Sequence, residues 1–350
     1  MAYSTIDDPT LHFNTKLFTG DNQANNAVTG VGFQPDFIWF KNRGAANDHA
    51  LVDSVRGRKT LSTNNIAAEL TLNADKDFQS FDSDGFTVDV VEQLNSFNKS
   101  GDSIASWNWK AGGSASNNTD GNKTISLSVN TTAGFSVGTY AGTGQDSTIG
   151  HGLGAVPDWL MIKNRSSGSR KWQLWHNGLT GTNKYLAIDR SDAELTDTAS
   201  WDNTAHSNTV WNTYGSGEAN QNGENFVCYA WTSIQGFSKF GSYTGNANAN
   251  GPFIYTGFKP AWIMTKQING ASSWIVHDNK RDPINTVTEF FTVEENDAAG
   301  TLANSFDLCS NGFKVRTSNG DRNSSGDSFA YWAFAESPLV NSEGIPNNAR

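Results

Sequence analysis

The chain has 350 residues, with 25 Lys+Arg against 35 Asp+Glu for a net charge of −10, and only 17 % of its residues are charged. That balance excludes a phosphate-tracking nucleic-acid binder, which needs a basic face, and no run approaches the ~18 apolar residues of a helical membrane span. Asn, Ser, Thr and Gly take the place of charge around twelve Trp and twenty-one Phe, a composition too aromatic for disorder and one that reads as β-rich.

The opening Met1-Ala-Tyr-Ser-Thr-Ile-Asp-Asp-Pro9 has neither a basic region nor an apolar run, so it reads as no secretory signal. Cys228 and Cys309 are too few for a disulfide framework. Buried free thiols are expected, in a chain made in a reducing cytoplasm.

Along the chain, the first signal is Phe18-Thr-Gly20, followed seventeen residues later by Pro35 and the run Pro35-Asp-Phe-Ile-Trp-Phe-Lys41. Phe37-Ile-Trp-Phe40 is apolar on both faces, which predicts a central strand covered on both sides, or one whose second face meets another subunit. His49-Ala-Leu-Val-Asp53 is a second apolar stretch ending in a polar corner. Arg56-Gly-Arg-Lys59 is a basic knot, read as a solvated loop or a salt-bridge partner across an interface. Ile66-Ala-Ala-Glu-Leu70 offers at most a turn or two of helix. Asp82-Ser-Asp-Gly85 has the start of a calcium loop but lacks its twelfth-position Glu and flanking helices, so it predicts a turn into a strand over Phe86–Val90. Ile104-Ala-Ser-Trp-Asn-Trp109 alternates large apolar with polar residues and predicts a half-buried strand.

The pattern then returns twice. Tyr140-Ala-Gly142 leads to Pro157-Asp-Trp-Leu-Met-Ile-Lys163, then Trp172-Gln-Leu-Trp-His176, and closes on Val227-Cys-Tyr-Ala-Trp231. Tyr243-Thr-Gly245 leads to Pro260-Ala-Trp-Ile-Met-Thr-Lys266, then Trp274-Ile-Val-His277, and closes on Phe329-Ala-Tyr-Trp-Ala-Phe334. Pro35 to Pro157 and Trp109 to Trp231 are both 122 residues, so the first two units match at both ends. The expected fold is all-β: three tandem β-sandwich or jelly-roll-like repeats of about 105–120 residues, over 1–112, 113–236 and 237–350. Pro35, Pro157 and Pro260 suit the first residue of a strand, where no ladder donor is needed. The Gly/Ser/Asn-rich 111–123 segment reads as a linker or long turn, the second junction as tight, and 338–350 as a tail that is mobile or laid along a neighbour.

No catalytic, cofactor-binding or metal-ligating set emerges. The six histidines lack ligand spacing, and there is no nucleophile elbow, Walker loop or dinucleotide fingerprint. His176 and His277 fall at matching places, with Asp53-Ser54 in the first unit, and suggest hydrogen bonding at strand ends. Trp39, Trp107, Trp109, Trp231, Trp262 and Trp332 read as core. Trp201 and Trp211, in a polar stretch with no counterpart in the other units, are the candidates for surface contact with a glycan. The distinctive residues are those of the repeat itself: Pro35, Pro157 and Pro260; Lys41, Lys163 and Lys266; Trp109, Trp231 and Phe334.

The opening Met1-Ala-Tyr-Ser-Thr-Ile-Asp7, the Gly-Phe-x-Pro-Asp/Ala units with their Trp strand and Lys, and the close Ala333-Phe-Ala-Glu-Ser-Pro338 before Gly344-Ile-Pro-Asn-Asn-Ala-Arg350 resemble tailed-phage virion proteins of marine and aquatic phages. These are usually labelled tail, tail-fibre or structural proteins. The resemblance implies a non-enzymatic structural role in the virion, synthesised in the host cytoplasm, as a tail-associated fibre or appendage serving host adsorption. Its expected partners are other virion proteins of tail or capsid, copies of itself with a trimer as the expected oligomer, and host surface glycan. A head decoration or head fibre is the alternative, and a polysaccharide depolymerase using a carboxylate pair is the third reading.

Overall fold

The computed structural model describes residues 3–201, 204–215 and 217–347, and among these the secondary structure is almost all β. The apolar runs after the three prolines each form a strand covered on both faces, and three sheets are organised around them. The first holds β1 (Phe13–Thr19), β2 (Phe37–Asn42), β3 (Ala50–Asp53) and β4 (Ser103–Trp109), in the spatial order β1-β4-β2-β3. The second holds β5 (Phe135–Ala141), β6 (Trp159–Asn164), β7 (Gln173–His176) and β8 (Asn225–Trp231), ordered β5-β8-β6-β7. The third holds β9 (Ser238–Thr244), β10 (Phe258–Gln267), β11 (Ile275–Asp278) and β12 (Ser328–Pro338), ordered β9-β12-β10-β11. Further strands extend each sheet at its edges, and all pairings among named strands are antiparallel.

Register follows the sequence signature. Phe37 lies opposite Trp109, Trp159 opposite Trp231, and Trp262 opposite Phe334. In each sheet the closing aromatic therefore pairs with the residue two after the proline. Pro35 and Pro157 sit just ahead of their strands, while Pro260 lies inside β10, where the ladder with β12 shifts register on both sides of it. A bulge is a place where a missing N–H donor costs little.

Because side chains alternate across a strand, each central strand feeds two cores. Phe37 and Trp39, Trp159 and Met161, and Trp262 and Met264 all enter one cluster shared by the three sheets. Trp107, Trp109, Tyr229, Trp231, Trp332 and Phe334 join them. The opposite faces fill three separate clusters: Ile38 and Phe40 in the first, Leu160 and Ile162 in the second, Ile263 in the third. The second face of Phe37–Phe40 is thus covered by the other sheets of the same chain. Full burial of each such side chain stabilises by roughly 1.5–3 kcal/mol, and in the shared cluster that burial is contributed by all three sheets together.

Five expectations need correction. Ile104–Trp109 is not half-buried: every residue of β4 after Ser103 is buried, the polar Ser106 and Asn108 included. Residues 111–123 are not a free linker. Ala111 is buried, the Ala111 and Gly113 N–H groups donate to the Asp36 carboxylate at 2.8 and 3.3 Å, and Ser116–Asn118 is a strand. Ile66–Leu70 contains no helix; Leu70 opens a two-residue strand instead. The described part of the tail folds back on its own chain, with Leu339 N–H donating to Gly257 at 3.2 Å and Asn347 Nδ2 to the Ser310 carbonyl at 2.9 Å; 348–350 lie outside the described residues. Cys228 is buried as expected, but Cys309 is only half-buried, and both thiols are free.

Candidate functional site

The residues with chemical capacity gather at the three seams between sheets. Asp53, at the end of β3, accepts from Arg56 Nε at 2.5 Å and from the Tyr229 hydroxyl of the second sheet at 2.8 Å. Asp278, at the end of β11, accepts from Arg281 Nε at 2.5 Å and from Trp107 Nε1 of the first sheet at 3.0 Å. His176 ends β7, where its Nε2 donates to the Tyr331 carbonyl of the third sheet at 3.2 Å and its ring lies 4.5 Å from that of Trp332. Asp53, His176 and Asp278 hold the same register position, opposite Phe37, Trp159 and Trp262. Contacts therefore run from the first sheet to the second, the second to the third, and the third to the first. The rotation closes.

The register also corrects the histidine correspondence. His176 matches Asp278 and Asp53, and His277 lies one residue earlier, so it points to the opposite face. There His277 Nδ1 donates to the Glu289 carbonyl at 2.8 Å, and its Nε2 is 3.0 Å from the Ser305 hydroxyl.

The signature lysines run the other way round the ring. All three side chains are buried, and their ammonium groups donate to backbone carbonyls. Lys41 reaches Asn296 of the third unit at 3.1 Å, Lys163 reaches Ile66 of the first at 3.1 Å, and Lys266 reaches Ser191 of the second at 3.2 Å. Burial lowers each ammonium to about 8, with the nearby carboxylates Asp297, Asp189 and Glu294, one at each seam, acting in the opposite sense. Beside them, Trp172 Nε1 donates to Ser62 at 2.9 Å, Trp274 Nε1 to Arg190 at 2.9 Å, and His49 Nε2 to Thr292 at 3.3 Å. A main-chain bond completes each seam: Glu69 N–H to Arg165, Glu194 N–H to Ile268, and Ala299 N–H to Arg43, at 2.9, 2.7 and 2.9 Å. A lysine closing an apolar run reads in sequence as the point where a strand reaches water; here it is the bolt between neighbouring sheets.

Trp201 and Trp211, the candidates for surface contact, are both fully buried. They stand 5.8 Å apart in the second sheet's own core, with Trp211 also edge-on to Tyr140 at 5.7 Å. The polar stretch around them forms the strand Val210–Thr213, whose alternate residues cover that core. The sequence reading also missed the buried Asp–Arg pairs, although Asp53-Ser-Val-Arg56 and Asp278-Asn-Lys-Arg281 share a spacing that signals them. Among the described residues no cluster of three His, Cys, Asp or Glu could hold a metal ion. The carboxylates of Asp189 and Glu218, both raised by burial, line one cleft of about 390 Å³ between the first two units, together with Lys171 and Arg190.

Residues 8–338 match a family described as a domain of unknown function (DUF7483), and the chain belongs to that family. One family match thus spans all three sheets. No curated protein and no solved structure matches the chain.

Proposed function

We propose that the chain is a non-enzymatic structural protein of a tailed-phage virion, made in the host cytoplasm and carried as a tail-associated fibre or appendage that contributes to host adsorption. The observation that carries this reading is how the chemically capable residues are used. Asp53, Asp278, His49, His176 and the three signature lysines are all committed to joining sheets around a shared core. An enzyme concentrates such groups in one open site; a building block spends them on rigidity. On this reading the three sheets are copies of one unit joined within one chain, and copies of the chain associate as a closed trimer through its outer surface. Partners are then other virion proteins and host glycan, met by the outer surface.

Three measurements test the proposal. Gold-labelled antibody on intact particles should decorate the tail; decoration over the capsid would replace the fibre by a head decoration or head fibre, and absence from particles would end the virion reading. Sedimentation equilibrium of the purified chain at micromolar concentration should give the trimer mass, and a monomer would count against the trimer. Shortened products from host polysaccharide incubated with the protein, abolished by Asp189→Asn or Glu218→Gln, would favour the depolymerase instead.

A further inference from the structure

The chain hides its aromatic side chains so thoroughly that the exceptions are informative. Phe253 and Tyr255 are 45 % and 48 % exposed, while Ile254 between them packs into the third sheet's own core. All three lie on the strand Phe253–Tyr255, which is the last strand of its sheet and pairs only with Gly312–Val315. Successive side chains of a strand alternate, so the two rings project from one outer face about 7 Å apart. Two aromatic rings side by side on one strand face stand out on a surface whose other exposed large apolar residues are mostly aliphatic.

Next to Tyr255 is a cleft of about 350 Å³, whose walls include Tyr3, Ser233, Gln235, Lys239 and Thr256. Its aromatic wall is fixed in place. Tyr3 Oη lies 3.1 Å from Tyr255 Oη and donates to the Gly257 carbonyl at 2.8 Å. Lys239 Nζ donates to the Tyr255 carbonyl at 3.1 Å and lies 5.4 Å from the centre of its ring. Burial, with the hydrogen bond to Tyr255 beside it, raises the Tyr3 phenol to about 12, so it stays a donor. The lining carries hydroxyls, an amide and one ammonium but no carboxylate, in a chain of net charge −10.

We propose that this cleft binds an acidic sugar residue of an extended polysaccharide, with Tyr255 under the apolar face of the ring, Lys239 at the carboxylate, and Phe253 under the neighbouring residue. A flat apolar wall with a few convergent polar groups is the usual composition of a small-ligand site. An ammonium with one proton engaged has two left for a uronate. The inference rests on the adsorption reading above, replaces the buried Trp201 and Trp211 as the glycan contact, and narrows the glycan to an acidic one.

The test is calorimetric titration of the full chain with an alginate hexasaccharide as the acidic probe and laminarihexaose as the neutral one. The acidic probe should bind with a dissociation constant below a millimolar and at least tenfold more tightly than the neutral one. Tyr255→Ala and Lys239→Met should each weaken it about tenfold, while Tyr214→Ala, at the other exposed aromatic among the described residues, should leave it unchanged. Unaltered melting temperatures would show that the variants are folded. No binding, binding indifferent to Tyr255→Ala, or preference for laminarihexaose would overturn the proposal. Its failure is separable from that of the virion reading, because antibody labelling of particles does not depend on sugar binding.

Discussion

Trp231→Ala is expected to cost about 3–5 kcal/mol, the range for truncating a large aromatic in a tight core, and to weaken all three sheets together. Trp231 is fully buried, stacks on Trp159 with ring centres 3.8 Å apart, and stacks on Phe135 at 4.7 Å. It also meets Trp109 and Phe37 of the first sheet edge-on, both at 6.2 Å. Truncation therefore opens a void that the second sheet cannot close alone, since its walls belong to two sheets. Denaturant unfolding followed by tryptophan fluorescence and by far-ultraviolet circular dichroism should give coincident transitions at a lower midpoint. Trp231→Phe should cost much less than Trp231→Ala, because the indole N–H makes no hydrogen bond. A separate early transition carrying about a third of the dichroism would mean that the second unit unfolds by itself.

The second large effect is acid lability. Three histidines share one bonding pattern. Nδ1 of His49 accepts from Trp39 Nε1 at 2.8 Å, that of His151 from Leu153 N–H at 3.2 Å, and that of His176 from Gly178 N–H at 3.0 Å. In each ring the other nitrogen, Nε2, faces a backbone carbonyl. The proton is therefore on Nε2, and a second proton on Nδ1 would point at an N–H donor. Burial pushes all three down: His49 far below its usual value, His151 by less, and His176 to about 3. A histidine depressed in the folded chain takes up its proton on unfolding. Its contribution is complete above about pH 6.5 and is lost as pH falls toward the folded value.

His176 alone gives a slope of roughly 1.4 kcal/mol per pH unit between about pH 6 and pH 4, and His49 acts in the same direction. Glu294, raised by burial to about 7, acts in the opposite sense over part of that range and offsets some of it. His176→Gln isolates the effect, because glutamine can donate to Tyr331 and accept from Gly178 without a charge to take up. Relative to the parent chain, the variant should gain about 2 kcal/mol between pH 7 and pH 5. Parallel stability curves over that interval would show that His176 does not titrate on unfolding.

Much of the architecture is legible in the sequence because it rests on local rules. Two-faced apolarity at Phe37–Phe40, the constant spacing from proline to lysine, and the closing aromatics together mark the central strands and the strands that close each unit, but not the order or register in which they pair. What was hidden is the set of partners far apart in the chain. Nothing near Lys41 announces that Asn296 will supply a carbonyl to its ammonium, and a lysine at the end of an apolar run usually reaches water. Polar composition misled at Trp201 and Trp211 because their neighbours turn outward while the rings turn in. It misled again at 111–123, where small polar residues fill a tied-down crossing between the first two sheets. The offset between His176 and His277 shows the same limit. A pattern matched by residue type slipped by one position, and in a strand one position is the other face.

Burial of the signature residues at the seams leads to the central claim that the three sheets stand or fall together. Native-state hydrogen exchange on the intact chain tests it most directly, through the slowest amides of β2, β6 and β10. The same opening free energy in all three strands, equal to that of global unfolding, is the expected result. Exchange of one of these strands through an opening several kcal/mol cheaper, with the other two still protected, would contradict the closed ring and restore three independent domains.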